Sequence, residues 1–192
     1  MNTQNGGYLE LILGPMFSGK TTRLINLQKQ YGICDISCCV INHMLDKRYD
    51  DHLLCTHDRQ STDCFNMTKL GDIFAANIHT LYDVFLINEG QFFEDILTVV
   101  QKLVEIHHKK VYICGLDGDF KRQKFGQLLD LIPLADKVIK KSALCKLCKN
   151  GKKGIFTMRL TKEEEQIIVG SNNYIPVCRQ CYLLLINKND LD

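Results

Sequence analysis

The 192-residue sequence contains no apolar run approaching the roughly 18 residues that a membrane-spanning helix requires, so no membrane partner is expected. It also lacks a dominant charge. Against 24 Lys and Arg stand 22 Asp and Glu, a net charge of +2. That balance excludes a strongly basic nucleic-acid-coating protein and little else. The opening residues, Met1 to Gly7, are polar and show no basic-then-apolar leader pattern, which makes the cytoplasm the expected location. No repeat or low-complexity segment interrupts the chain. What remains is enough sequence for one α/β domain with a real core plus a small appendage.

Cysteine is plentiful, with ten residues in two groups. Cys34, Cys38, Cys39, Cys55, Cys64 and Cys114 are scattered through apolar or mixed surroundings, as expected for small buried hydrophobes or free thiols. Cys145, Cys148, Cys178 and Cys181 instead form two C-x-x-C pairs. Two such knuckles offer four thiolates for tetrahedral Zn²⁺, and with all four positions filled the ion would be structural. Two disulfides are the competing reading.

Short apolar runs at Tyr8–Leu13, Ile36–Ile41, Asp83–Ile87 and Val111–Cys114 read as buried strands. Amphipathic spacing predicts helices over Lys20–Gln30 and Phe93–Ile106, the latter with Ile96, Val99, Val100, Leu103 and Val104 on one face. Strands alternating with helices predict an α/β fold with a mostly parallel sheet. From Lys140 to Lys153 six lysines occur without an acidic residue. A boundary is therefore expected near 142, separating a nucleotide-binding domain, 1–141, from a compact module, 142–192. Within that module Ile155–Leu160 and Gln166–Val169 are expected to pair across a turn containing Glu163, Glu164 and Glu165.

Gly14-Pro15-Met16-Phe17-Ser18-Gly19-Lys20-Thr21 matches G-x-x-x-x-G-K-[ST] between a predicted strand and helix. Glycines let the backbone curl so that N–H groups face phosphate oxygens, and the helix N-terminus adds positive partial charge. Lys20 would reach the β- and γ-phosphates of ATP, and Thr21 would ligate Mg²⁺. Glu89 follows a buried strand and can serve as general base at the carboxyl edge of the sheet.

GPMFSGKT, DKRY (Asp46–Tyr49), CTHD (Cys55–Asp58), EGQFF (Glu89–Phe93), LDGDF (Leu116–Phe120) and the paired C-x-x-C motifs occur in order. From about Gly6 to Tyr182 the chain resembles the zinc-containing thymidine kinases of animal cells and poxviruses. The resemblance implies a RecA-like domain, a homotetramer, and a zinc-anchored loop closing over the nucleoside. It further implies transfer of the ATP γ-phosphate to the 5′-hydroxyl of thymidine, giving dTMP for DNA synthesis. Glu89 would be the base, with Arg48 and Asp46 near the transferring phosphate and metal. Met16, Phe92, Leu116, Phe120 and Phe125 would wall the base pocket. Thr157, Gln166, Ile167, Ile168, Val169, Gly170 and Tyr174 match positions that hold the thymine.

Where the family has Asp before the catalytic Glu, this chain has Asn88, still an expected contact in the ATP site but without charge. Weaker Mg²⁺ binding and slower turnover are expected, or an impaired kinase. Gly170-Ser171 also stands where a double glycine is common. The rival reading is a zinc-ribbon RecA-like ATPase acting on nucleic acid through the lysines of 140–153. Those lysines lack interleaved aromatics for base stacking, apart from nearby Phe156, so no nucleic-acid partner is expected.

Overall fold

The computed structural model describes residues 6–46, 53–55, 61–168 and 173–189, the last three by backbone alone. The chain begins with β1 (Tyr8–Leu13), α1 (Lys20–Ile33), β2 (Cys38–His43), and short strands β3 (Leu53–Cys55), β4 (Ser61–Asp63) and β5 (Phe65–Met67). It continues through α2 (Asp72–Ala75), α3 (Ile78–Leu81), β6 (Val84–Ile87), α4 (Ile96–Gln101) and β7 (Lys110–Gly115). A 3₁₀ segment, Leu128–Leu134, precedes β8 (Lys137–Lys140). The remainder is β9 (Ala143–Leu144), β10 (Lys153–Gly154), β11 (Phe156–Arg159), β12 (Tyr174–Val177) and α5 (Arg179–Asn189).

Among the described residues six strands form the central sheet in the order β5-β2-β6-β7-β1-β8. Every pairing within it is parallel. This is the α/β, mostly parallel class expected from the sequence. Alternation along each strand supplies both faces. Leu9, Leu11, Phe85, Ile87, Val111 and Ile113 share a core with Ile96, Val99 and Val100 of α4 and with Leu128 and Leu131. Ile12, Val40, Leu86 and Tyr112 face Leu24, Ile25 and Leu27 of α1. Burial on both faces explains why these strands read as continuous apolar runs. Parallel order also brings the carboxyl ends of β1, β2, β6 and β7 to one edge, and the site forms there.

A third, separate core joins Cys145, Met158, Ile175, Val177, Cys178 and Tyr182. It is built on two small hairpins, β9 with β10 and β11 with β12.

Three expectations need correction. The second strand spans Cys38–His43, not 36–41. Helix α1 runs on to Ile33, and the Cys34 and Ile36 N–H groups fold back onto the Tyr31 carbonyl, leaving Ile36 38 % exposed. The helix expected over 93–106 is α-helical only for Ile96–Gln101 and continues as a π-helical turn through Ile106. Its apolar face nevertheless packs as expected, with Ile96, Val99, Val100 and Leu103 buried. Finally, β11 pairs with Tyr174–Val177, not with the segment beginning at Gln166. Tyr174–Val177 leads directly into Cys178 and adds Ile175 and Val177 to the small core, so pairing and burial reinforce each other. The 163–166 backbone is held by side chains instead, as the site shows. Val169 lies outside the described residues.

Candidate active site

Between β1 and α1 the chain makes a tight loop. Gly14, Phe17 and Gly19 have φ of 150°, 63° and 73°. A side chain on Gly14 would begin 2.6 Å from the Lys141 carbonyl oxygen, so glycine is required there. Ser18 Oγ and Lys20 Nζ both donate to the Pro15 carbonyl at 2.8 Å, bracing the loop from inside. Lys20 is only 8 % exposed and opens α1, so a buried ammonium stands beside the positive end of a helix. That combination suits an anionic ligand.

The strand ending at Ile87 delivers Asn88 and Glu89 to the same edge. Asn88, 1 % exposed, donates to Asn42 Oδ1 at 3.0 Å and accepts the Thr21 hydroxyl at 3.3 Å. Two neutral oxygen donors, the Thr21 hydroxyl and the Asn88 amide, thus meet between the 14–21 loop and the acid. They suit a hard cation that keeps most of its water, such as Mg²⁺. Glu89 has φ 51° and ψ 44°, a left-handed conformation unusual for a non-glycine residue and often found at functional sites. Gln91 Nε2 donates to Glu89 Oε2 at 2.7 Å, while Gln91 Oε1 accepts the Leu116 N–H at 3.0 Å. The buried amide therefore orients the carboxylate against the next loop.

Beside Glu89 lies a cleft that opens to solvent. Met16, Asp46, Glu89, Phe92, Leu116, Phe120, Phe125, Thr157, Gln166, Ile167, Ile168 and Tyr174 all line it. The family resemblance had singled out each of these residues. Phe92 and Phe125 meet edge to face, 5.4 Å between centroids. Pro15 and Phe17 to Thr21 belong to the adjoining loop. Arg48, Val169 and Gly170 lie outside the described residues.

Sequence reasoning missed Leu45, Gln91, Gly118 and Asp119, which also line the cavity. Gln91 and Asp119 stood within the quoted EGQFF and LDGDF motifs, but their partners are remote in sequence. Asp119 accepts the Lys121 and Gln123 N–H groups through Oδ1 and the Gln166 side chain, at 2.8 Å, through Oδ2. It thus shapes its own turn and fastens the opposite loop.

Arg159 was also missed. It is 6 % exposed, and its guanidinium donates to the carbonyls of Glu163, Glu165 and Gln166 and to the Tyr174 hydroxyl. It stacks on the Phe120 ring at 3.7 Å as well. Five planar N–H donors allow one arginine to hold a loop that forms no strand.

The four Sγ atoms of Cys145, Cys148, Cys178 and Cys181 lie within 4.8 Å of one another. Cys148 Sγ is 3.3 Å from Cys181 Sγ and 3.6 Å from Cys178 Sγ. A zinc ion with bonds of 2.3 Å requires sulfurs about 3.8 Å apart, so the set fits Zn²⁺. No cysteine among the ten is bridged, which removes the disulfide reading. Burial pushes the Cys145 thiol up, but backbone N–H groups of Cys148, Cys178 and Leu147 outweigh it and bring the pKa to about 6. From this corner Tyr182 donates to the Phe120 carbonyl at 2.7 Å, and Thr157 Oγ1 accepts the Met16 N–H at 3.0 Å. The four-cysteine module therefore grips both the cavity wall and the 14–21 loop.

The thymidine kinase family model matches residues 7–182. The thymidine kinase of sheeppox virus (strain KS-1) is 40% identical over 179 residues, covering 93% of this chain and 98% of the viral protein. That of vaccinia virus (strain Western Reserve) is 41% identical over 180 residues, again 93% and 98% of the two chains. A variola virus thymidine kinase is similar to the same degree. With the match running from the first strand into the last helix, the chain belongs to the thymidine kinase family.

Proposed function

We infer that this protein is an ATP-dependent thymidine kinase, transferring the γ-phosphate of ATP to the 5′-hydroxyl of thymidine. One observation carries the reading: the cleft containing Glu89 is continuous with the phosphate loop through Met16, which lines one and belongs to the other. In this assignment residues 14–21 bind the triphosphate, and Lys20 offsets its charge. Thr21 and Asn88 would hold the Mg²⁺ that accompanies ATP, which supplies further charge neutralisation when bound.

Glu89, held by Gln91, takes the proton of the 5′-hydroxyl as its oxygen attacks the γ-phosphorus. The bond to the β-phosphate breaks and ADP leaves with that electron pair. Asp46, with Arg48, is assigned to the reacting phosphate. Phe92, Leu116, Phe120 and Phe125 are assigned to enclose the base, while Thr157 on β11, Tyr174 on β12 and residues 166–170 between those strands are assigned to read it. Closing that loop would exclude water as a competing acceptor. Zn²⁺ held by the four cysteines would be structural, and the 142–192 unit adds its residues to a nucleoside site begun by the 1–141 unit. Among the described residues no helix is long and apolar enough to cross a membrane. A cytoplasmic homotetramer is the assembly and location that the family resemblance supports.

Incubation of the purified protein with ATP, Mg²⁺ and, separately, thymidine, deoxycytidine or single-stranded DNA tests the reading. It requires dTMP with thymidine. Free phosphate released only with DNA would replace it by the nucleic-acid ATPase, and ATP binding without dTMP would leave an impaired kinase.

A further inference from the structure

Three lysines in and just after β8 differ in what they face. Lys137 pairs with Glu10 at 3.4 Å and Lys140 with Asp117 at 2.8 Å. Lys141 is half-buried and, among the described residues, has no carboxylate within ion-pair distance. Its backbone is joined to the phosphate loop, the N–H donating to the Leu13 carbonyl at 2.7 Å. Its Nζ is 3.8 Å from where a side chain on Gly19 would begin, and Gly19 caps the N-terminus of α1.

That position is electrostatically costly. The helix end is already positive, Lys20 adds a buried ammonium, and the first turn of α1 holds no acidic residue. Asn88 and Asn42, the buried pair nearest the loop's Thr21, are neutral. Both ammonium groups also reach the buried Cys114 thiol, pulling its pKa down against the larger upward push of burial and the smaller one of the Glu89 carboxylate. Lys141, with no carboxylate of its own among the described residues, stands beside a loop and a helix N-terminus that suit an anion, and a polyphosphate chain has the extent to reach both it and Lys20.

We propose that Lys141 is a second phosphate-binding cation, contacting the polyphosphate of the nucleotide beside Lys20. The assignment rests on reading residues 14–21 as the nucleotide site. Loss of a charged hydrogen bond to phosphate corresponds to about a tenfold loss of affinity.

The test is calorimetric titration of tripolyphosphate and MgATP into the full chain, with KM for ATP and thymidine measured in parallel. Lys141→Met should weaken tripolyphosphate and ATP about tenfold and leave the thymidine KM unchanged. Lys141→Arg should retain most binding, and Lys140→Met, which removes a lysine already paired with Asp117, should bind as wild type. A Lys141→Met protein that binds tripolyphosphate like wild type overturns the proposal. So does one that loses binding only together with its melting temperature. Wild type that binds tripolyphosphate through Lys141 yet makes no dTMP supports the lysine and sinks the kinase reading. Wild type that binds no tripolyphosphate overturns both.

Discussion

The phosphate loop and the nucleoside wall satisfy their polar groups in different ways. Within residues 14–21 the inner bracing is local, with Ser18 and Lys20 both turned onto Pro15, while Met16 and Thr21 reach side chains far along the chain, Thr157 and Asn88. The wall is held by groups far apart in the chain: Gln91 to Leu116, Asp119 to Gln166, Arg159 to the 163–166 carbonyls, and Tyr182 to Phe120. A locally braced loop is ready once its own residues are folded. A wall made from distant segments depends on every anchor, so damage to the anchors should fall on thymidine and spare ATP.

Glu89→Gln lies where the two halves meet and should show the largest effect. Removing the base should lower kcat by roughly 10²–10⁴-fold while both KM values stay near wild type. A loss confined to KM would move Glu89 out of the chemistry and into the wall.

Removing the ion with a chelator, or replacing Cys148 by Ser, should raise the thymidine KM about 10–100-fold, because Tyr182 and Thr157 lose their footing. MgATP binding measured by calorimetry should persist. Equal loss of both ligands would erase the distinction between loop and wall.

Arg159→Lys keeps a charge but cannot serve four oxygen acceptors at once, and should raise the thymidine KM about tenfold with the ATP KM unchanged. The kinetics should be read beside zinc content and melting temperature, both expected to hold.

Asn88→Asp restores charge beside Thr21 and should lower the Mg²⁺ needed for half-maximal rate by about threefold to tenfold. Because Asn88 donates to Asn42 Oδ1, the Asn42 amide must turn to donate in its place. An unchanged Mg²⁺ dependence and kcat would show that this position does not matter to the loop side.

The smallest effect concerns pH. His43 is buried between Phe92 and Phe93, with ring centroids 5.4 and 4.7 Å away, and burial holds its pKa below the ordinary value. The unfolded chain then takes up a proton near pH 6.5 where the folded chain does not. Stability from this residue is present above that pH and is lost as pH falls toward the lower folded pKa. Melting temperatures of wild type and His43→Gln between pH 7.5 and 5.5 should therefore converge, and parallel curves would remove His43 as the cause.

The contrast also sets what could be read from sequence. GPMFSGKT is one contiguous segment with its strand and helix beside it, so its conformation was legible. The apolar runs at Tyr8–Leu13 and Val84–Ile87 were legible because both faces of a central strand are covered. Cys145, Cys148, Cys178 and Cys181 could be grouped from spacing alone. The wall was legible only through family resemblance, since Phe92, Phe120 and Phe125 carry no local sign of what they face. Its fasteners were not legible at all. Arg159 sits in FTMRL like any strand arginine, and only the folded chain brings three carbonyls and a tyrosine hydroxyl to it. The pairing of β11 failed for the same reason: Gln166–Ile168 has strand-like residues, but its polar groups are engaged sideways.

Met16 belongs to both halves, its side chain lining the cavity and its amide answering to Thr157 across the crevice. Through that shared peptide the two substrates become thermodynamic neighbours. Whatever factor a resident nucleotide applies to the grip on thymidine, thymidine must return to the nucleotide in equal measure.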